Sequence, residues 1–466
     1  MKRTLLALLS VTVVMLFAVS AFALHAVPEQ YEYTPSMVKA AAAQIEIGGH
    51  IRIRGEMNDN YVDFSDDVDT DNTRSFYDQR ARVHLKATVS PNTFGMIEFE
   101  ANDGLGDDSD DNWDWGQCDA AKGIYRVANC KPTGVSIRQA YIAHQTKYLG
   151  FLSGFKLGHQ LVALGNGMFY DHTQYGDDVI TLWMSPWEGS EISLNFLKHG
   201  EGNTAYADDI DTYVLTYAGA LGPASVSADL SYVNDNSDAW AKGLDFYNIG
   251  VRGDWAGGIF KVKADLEYQF GTADESAFNG DDLDVGGWAF MLGSDIDLGM
   301  VMLSLEGAYG SGDDIDTEDE YEGFVTSLSD GEQYTYLYDQ KAKTSAQAVA
   351  PSAASSSVYF NTYKTGLNNT WYIMAGVSGN ATPDLKLGLD LFYLQASEKV
   401  SDVSDFDDKD IGWEVDGKLS YQIDKNLVYY VEAGYLFAGD FYANVTGDKD
   451  NIDDAYSVRN GVILSF

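Results

Sequence analysis

The sequence predicts an all-β protein, a transmembrane antiparallel up-and-down β-barrel of about 18 strands, with 16 as the alternative count. Three observations carry that prediction. The chain begins with an export leader, period-two alternation runs through nearly all of the rest, and short turns alternate with long loops.

The leader comes first. Lys2 and Arg3 make a positive n-region, Leu5 to Val19 is apolar, and Ala21-Phe22-Ala23 is a small-x-small cleavage site. The apolar run is about 15 residues, short for a helix that must span ~30 Å of hydrocarbon. Residues 1–23 are read as a signal peptide, residues 24–43 as a short N-terminal periplasmic segment, and residues 44–466 as the barrel.

The alternation is explicit. Leu385, Leu387, Leu389, Leu391 and Tyr393 face one way, and Lys386, Gly388, Asp390 and Phe392 the other. Phe260, Val262, Ala264, Leu266, Tyr268 and Phe270 alternate with Lys261, Lys263, Asp265, Glu267 and Gln269. Ile411, Trp413, Val415, Gly417, Leu419 and Tyr421 alternate with Glu414, Asp416, Lys418, Ser420 and Gln422. Soluble sandwiches alternate too, but these segments run ~9–14 residues, the length of a tilted strand crossing a bilayer.

The connections give the topology. Strands are expected to start near Gln44, Arg74, Thr93, Val135, Leu152, Asp178, Glu191, Asp209, Ala224, Leu244, Gly258, Asp284, Met300, Asn368, Pro383, Asp410, Asn426 and Tyr456. Short turns such as Ser90-Pro91-Asn92 and Leu149-Gly150 alternate with long loops, the largest running from Ser311 to Leu367. An even count puts both termini on the periplasmic side. The last strand carries Tyr456, Val458, Val462, Leu464 and terminal Phe466 on one face, an arrangement that resembles the closing-strand assembly signal of outer-membrane barrels. Trp183, Trp187, Tyr213, Trp255, Trp371, Trp413 and Tyr435 cluster near strand ends, as interfacial girdles do, with some of them left for the lumen.

Charge excludes several classes of partner. Loss of the leader, with Lys2 and Arg3, takes the formal charge from −41 to −43. Phosphate binding needs clustered Lys and Arg, so nucleic acid is excluded as a partner. A disordered acidic chain is poor in aromatics, and this one is 13% aromatic, so it folds. Cys118 and Cys130 fit no haem or zinc spacing, and in an exported protein they are expected to form a disulfide closing a local loop. Most acids fall in the long loops and read as a solvated rim. Asp67, Asp69 and Asp71 are spaced like the start of a calcium loop. Asn72 stands where such a loop has Gly, and Asp78 where it has Glu, so the three acids are kept only as a candidate and the overall reading is no metal and no cofactor.

The polar parity carries its own charges. His50, Arg52 and Arg54 on the first strand point inward if Ile47, Ile51 and Ile53 face lipid. Arg80, Arg82, His84 and Lys86 follow on the second strand, and Arg138 and Lys156 on the fourth and fifth. Inward acids are Glu306, Asp390, Glu414, Asp416 and Glu432, with Glu98 and Glu100 beside the basic ladder. A charge on the lipid face costs ~2–4 kcal/mol at midplane, so this parity requires a wet interior. The ladder reads either as a selectivity field across a constriction or as salt bridges holding the wall together. The loop Leu161 to Asp177, with Gly165, Asn166, Gly167, Phe169, Tyr170, Asp171 and His172, has the composition to fold inward.

The chain resembles outer-membrane porins over essentially the whole mature chain, and Phe155-Lys156-Leu157-Gly158-His159-Gln160, running into Leu164-Gly165-Asn166-Gly167, together with Arg138-Gln139-Ala140-Tyr141, is similar to the pattern of alginate-export-like porins. His159 stands where that pattern has Arg. The resemblance implies an outer-membrane porin, a passive channel for small hydrophilic solutes or ions, embedded in outer-membrane lipid and lipopolysaccharide. It implies delivery by the barrel-assembly machinery, and leaves homo-oligomerisation open. The alternatives are an anionic-polysaccharide channel, a sheath for an electron-transfer cytochrome, and a structural or adhesive barrel, the last suggested by the low-complexity stretch Ala342 to Ser357. No G-x-S-x-G motif is present, and His144, His159, His172 and His199 are scattered in the sequence, so no enzyme is expected.

Overall fold

The computed structural model describes residues 36–40, 43–65, 73–102, 113–114, 134–174, 176–200, 209–236, 243–273, 282–314, 316–317, 320–326, 334–343, 366–400 and 407–466. Cys118, Cys130, Asp67, Asp69, Asp71 and the leader lie outside them.

Eighteen antiparallel strands form one closed wall. They are β1 (Ala43–Asp59), β2 (Thr73–Ser90), β3 (Thr93–Asn102), β4 (Gly134–Tyr148), β5 (Phe151–Gln160) and β6 (Asp177–Ser185). There follow β7 (Ser190–Gly200), β8 (Ile210–Leu221), β9 (Ala224–Asp235), β10 (Leu244–Gly257), β11 (Phe260–Ala273) and β12 (Leu283–Asp297). The last six are β13 (Val301–Gly310), β14 (Thr370–Thr382), β15 (Leu385–Gln395), β16 (Asp410–Asp424), β17 (Leu427–Ala438) and β18 (Ala455–Ser465). Each pairs with its sequence neighbours, and β18 closes on β1 in the register His50↔Ser465 to Asp59↔Tyr456. Closure removes every edge, which lipid requires because it offers backbone groups no water. A short strand, Ser36–Ala40, folds back on Ala43–Ile47 at the start of β1.

The two faces of the wall differ as the alternation demands. Ile53, Ile142, Leu182, Leu215, Ile249, Leu266, Leu292, Leu305, Ile373 and Leu389 project outward and exposed. A soluble monomer does not leave a continuous apolar belt in water, and a bilayer covers it. Tyr456, Val458, Val462, Leu464 and Phe466 share the outward parity of β18. Trp187, Tyr213, Trp255, Trp413 and Tyr435 face outward too. Trp183 faces in: it lies opposite Gly154, where an added Cβ would sit 2.9 Å from its indole.

Two departures from strict alternation have local causes. The register slips between Leu394 and Gln395 where β15 meets β16, so Ile411 is fully buried rather than outward with Trp413. A bulge inserts one unpaired residue and shifts the parity beyond it. The second departure is larger. The strand ends next to the long loops carry apolar residues on the inward face as well, among them Val179, Val214, Phe246, Val285, Met374 and Phe392. They form a core with loop residues, so this half of the barrel is packed.

Candidate functional site

The site is the lumen, and the loops that enter it define its shape. The first entering loop, described over residues 161–174 and at 176, joins β5 to β6. It turns back on itself as a miniature hairpin, with Leu164 N–H donating to Tyr170 O and His172 N–H to Val162 O. Its tip reaches β10 and β11. Gly165 there has φ +56°, and a Cβ would fall inside the Arg252 guanidinium, 1.7 Å from Nε. Only glycine fits both the left-handed backbone and that approach. Asn166 Nδ2 donates to Asp265 Oδ2 (3.0 Å), and Phe169 packs edge-on against Phe246 at 6.0 Å between centroids. The return limb is held from the other side, where Arg138 donates to the carbonyls of Thr173 and Gln174 (3.0 Å for Gln174).

The second entering segment belongs to the connection between β13 and β14. The largest loop thus turns inward at residues 320–326 and 334–343, and Ala342, read from sequence as the start of a low-complexity stretch, is fully buried in a wide helical turn, Tyr338–Ala342. The wall receives this segment through its backbone. Tyr336 N–H donates to Asp416 Oδ2 (2.9 Å), Leu337 N–H to Glu414 Oε1 (2.6 Å) and Tyr338 N–H to Glu414 Oε2 (2.9 Å). Tyr336 also reaches Ser457 on β18, its ring lies 4.7 Å under Arg459, and Lys341 pairs with Glu56 on β1. Tyr334 stacks on Tyr372 at 4.6 Å. Gly434 makes room for Tyr336: a Cβ at that position would come within 3.0 Å of the ring. Burial pushes the Asp339 carboxyl up to about 7 and the Lys343 ammonium down to about 7. Lys343 donates to Thr370 Oγ1 (2.8 Å) and to Gly366 O.

The inward charges fall into three groups. On β1 to β4, Arg54 donates to Asp78 (2.6 Å), Arg52 sits 3.5 Å from the same carboxylate, and Arg82 pairs with Glu100. Arg138 bridges Glu98 (3.1 Å) and Glu100 (3.8 Å), and Lys86 reaches Glu46 at 3.7 Å. His50 and Arg80 are buried in the same wall, His84 lies over Gly48, and the Lys156 ammonium rests 4.1 Å from the Tyr141 ring centre. On β9 to β13, Arg252 is ringed by Asp229, Asp265 (3.2 Å) and Glu267. Lys263 pairs with Glu306 (2.8 Å), which also accepts from Tyr372 (2.6 Å). On β15 to β18, Asp390 is buried, Glu432 pairs with Arg459, and Glu414 and Asp416 serve the loop.

The sequence-predicted lumen residues on regular strand stretches lie on the inward parity, while Arg138 reaches Glu98 and Glu100 from a bulge where Gln139 takes the place opposite Glu98. The basic ladder carries its own counter-charges within the same strands. Side-chain exposure is 6% for both Arg82 and Glu100 but 35% for Lys86 and 25% for Glu46, so the interior is filled toward the long loops and opens toward the short turns. The sequence reading also missed Arg252, Arg459, Asp78, Glu56 and Lys341. All but Lys341 stand on strands, where parity alone would have found them.

One constellation was read as scattered. His172 on the first loop, Asp177 at the start of β6 and His199 near the end of β7 converge. Asp177 Oδ1 is 2.9 Å from His172 Nδ1 and 3.0 Å from His199 Nδ1, and Tyr170 donates to Asp177 Oδ2 (2.7 Å). Loop folding brings together what 27 positions of sequence separate.

A closed wall with an apolar outside, a charged inside and loops folded into the bore defines a membrane-spanning β-barrel of porin architecture. Among solved structures, the chain is similar to the outer-membrane porin OccK9 (OpdG) of Pseudomonas aeruginosa, with TM-score 0.52 and 13% identity over 90% of this chain and 98% of that one. It is similar to OpdL of the same organism (TM-score 0.51, 12% identity, 90% and 98% covered) and to OpdK solved with vanillate (TM-score 0.51, 10% identity, 90% and 98% covered). At these identities the likeness is one of fold. No protein-family model and no curated protein matches the chain.

Proposed function

We propose that the protein is an outer-membrane porin, a passive diffusion channel for small hydrophilic solutes or ions through a narrow, charge-lined lumen. The observation that carries this reading is the pair of inward loops seated on wall charges, Asn166 on Asp265 and Tyr336 to Tyr338 on Asp416 and Glu414. Loops docked inside a closed barrel narrow a bore that the wall alone would leave wide. The short-turn end, where β1 starts and β18 finishes, is taken as periplasmic, and the face ending in Phe466 is assigned to the assembly machinery.

The counter-charges argue for small solutes over a polyanion. A polysaccharide track needs successive basic groups open to the bore, whereas Arg52, Arg54, Arg82 and Arg138 each face a carboxylate on their own or a neighbouring strand. A cytochrome sheath needs an empty lumen, and the half next to the long loops is packed.

Single-channel recording in a planar bilayer tests the proposal, with reversal potential measured in a salt gradient. Small ohmic steps are expected. Absence of any conductance from correctly folded protein would overturn the channel reading.

A further inference from the structure

We infer that His172, Asp177 and His199 form a binding site for a transition-series divalent cation such as zinc, which clamps the first inward loop to the barrel wall. The donor set is two imidazole nitrogens and one carboxylate, the set that suits zinc, iron, nickel and copper rather than calcium or magnesium. The donor atoms all lie within 4.8 Å of one another, with Asp177 Oδ1 at 2.9 and 3.0 Å from the two Nδ1 atoms. Zinc bonds of about 2.0–2.1 Å place neighbouring tetrahedral ligands about 3.3 Å apart, so each carboxylate–imidazole pair needs to open by only a few tenths of an ångström.

The surroundings have the form of an outer shell. His199 Nε2 lies 2.9 Å from the hydroxyl of Thr212, which is fully buried. When that nitrogen donates its proton to Thr212, Nδ1 holds a lone pair that faces a carboxylate oxygen, an arrangement a bound cation makes favourable. Tyr170 stacks on His172 at 4.3 Å and donates to Asp177 Oδ2, fixing both groups. Its hydroxyl is also 3.3 and 3.4 Å from the two Nδ1 atoms, placing a fourth donor atom at the same point.

The three ligands come from three chain segments. His172 rides on the loop, and Asp177 and His199 stand on adjacent strands, so an ion held by all three ties the loop's return limb to β6 and β7. The inference is independent of conduction, because it concerns binding alone.

The test is calorimetric titration of the full barrel, purified in detergent and stripped with chelator, with zinc chloride in the presence of excess calcium. Excess calcium competes for sites built from carboxylates alone, so the expected result is one zinc per chain that calcium does not displace. His172→Gln, a loop substitution that leaves the wall intact, is expected to weaken that binding at least ~100-fold. His159→Gln, an outward histidine, is expected to leave it unchanged. Cobalt supplies a readout that needs no variant: the unaltered protein should give the intense visible absorption of a low-coordinate nitrogen–oxygen site. Zinc displaced by calcium, zinc affinity unchanged in His172→Gln, or a cobalt spectrum like that of the aqueous ion would each overturn the inference.

Discussion

The two inward loops solve the same problem by different means. Residues 161–176 are pinned by side chains: Arg138 and the Asp177 cluster hold the return limb, and Asn166 and Gly165 sit at the tip on Asp265 and Arg252. Residues 334–343 are held mainly by backbone, with three consecutive N–H groups delivered into two carboxylates and aromatic rings packed around them. A loop buried in a lumen must satisfy its peptide groups without water. The shorter loop bonds to itself as a hairpin, and Arg138 takes up two carbonyls of its return limb. The wide turn at Tyr338–Ala342 leaves donors at its start free of helix bonds, and inward acids on β16 take them. Glu414 and Asp416 then act as anchors for a loop, and a passing ion meets carboxylates that are already engaged.

That difference is broken most strongly at β16. Replacing Glu414 and Asp416 by alanine removes three bonds to carboxylates, each worth about 1.5–3 kcal/mol, so undocking of the second loop rises by about three orders of magnitude or more. The expected outcome is a several-fold rise in single-channel conductance with the barrel still folded, as judged by its heat-modifiable migration. Conductance equal to that of the unaltered protein would show that the second loop does not limit the bore.

Arg252→Ala attacks the seat of the first loop. It leaves Asp229, Asp265 and Glu267 facing one another in a buried patch. Removing one partner of a buried charge cluster costs about 3–5 kcal/mol. A lowered urea midpoint for unfolding is expected, together with a reversal potential moved toward cation preference. An unchanged midpoint would mean that water reaches the cluster and screens it. A milder change sharpens the comparison: Asn166→Ala removes one side-chain bond at the loop tip, worth about 1 kcal/mol. It is expected to raise conductance modestly and leave the unfolding midpoint nearly in place.

The fold was legible because it is written in parity. Strand count, connection lengths and inward charges follow from period-two alternation, and each expected strand start lies within two residues of the observed one. Two features of the lumen were not legible. Arg54–Asp78 and Arg82–Glu100 are cross-strand pairs that need register, which parity does not supply. His172 and His199 needed the path of a loop, and loops carry no period. One signal for the packed half was present in the sequence. Phe246, Met374 and Phe392 are apolar residues on the polar parity, and together they mark where a loop must cover the wall. Apolar side chains at inward positions of a wet barrel thus point to the docking surfaces of the inward loops from the amino-acid pattern alone.

The smallest expected effect separates the loops by their response to pH. Asp339 and Lys343 sit on one turn of the second loop, Lys343 buried and Asp339 half-buried, and desolvation brings both to about 7. The carboxyl has been raised from 3.8, so its favourable contribution to docking is present below 3.8 and lost as pH rises to about 7. The ammonium has been lowered from 10.5, so its contribution is present above 10.5 and lost as pH falls to about 7. The two losses overlap most near neutrality, where the undocked loop carries both charges freely and the docked one must neutralise or pair them. Current flicker from undocking is therefore expected to peak near pH 7 and to decline toward both acid and alkaline conditions. Lys343→Met removes the titrating ammonium and should abolish the alkaline decline while the acid one persists. A flat profile in the unaltered protein would show that Asp339 and Lys343 stay ionised as a pair throughout, with docking then governed by Glu414 and Asp416 alone.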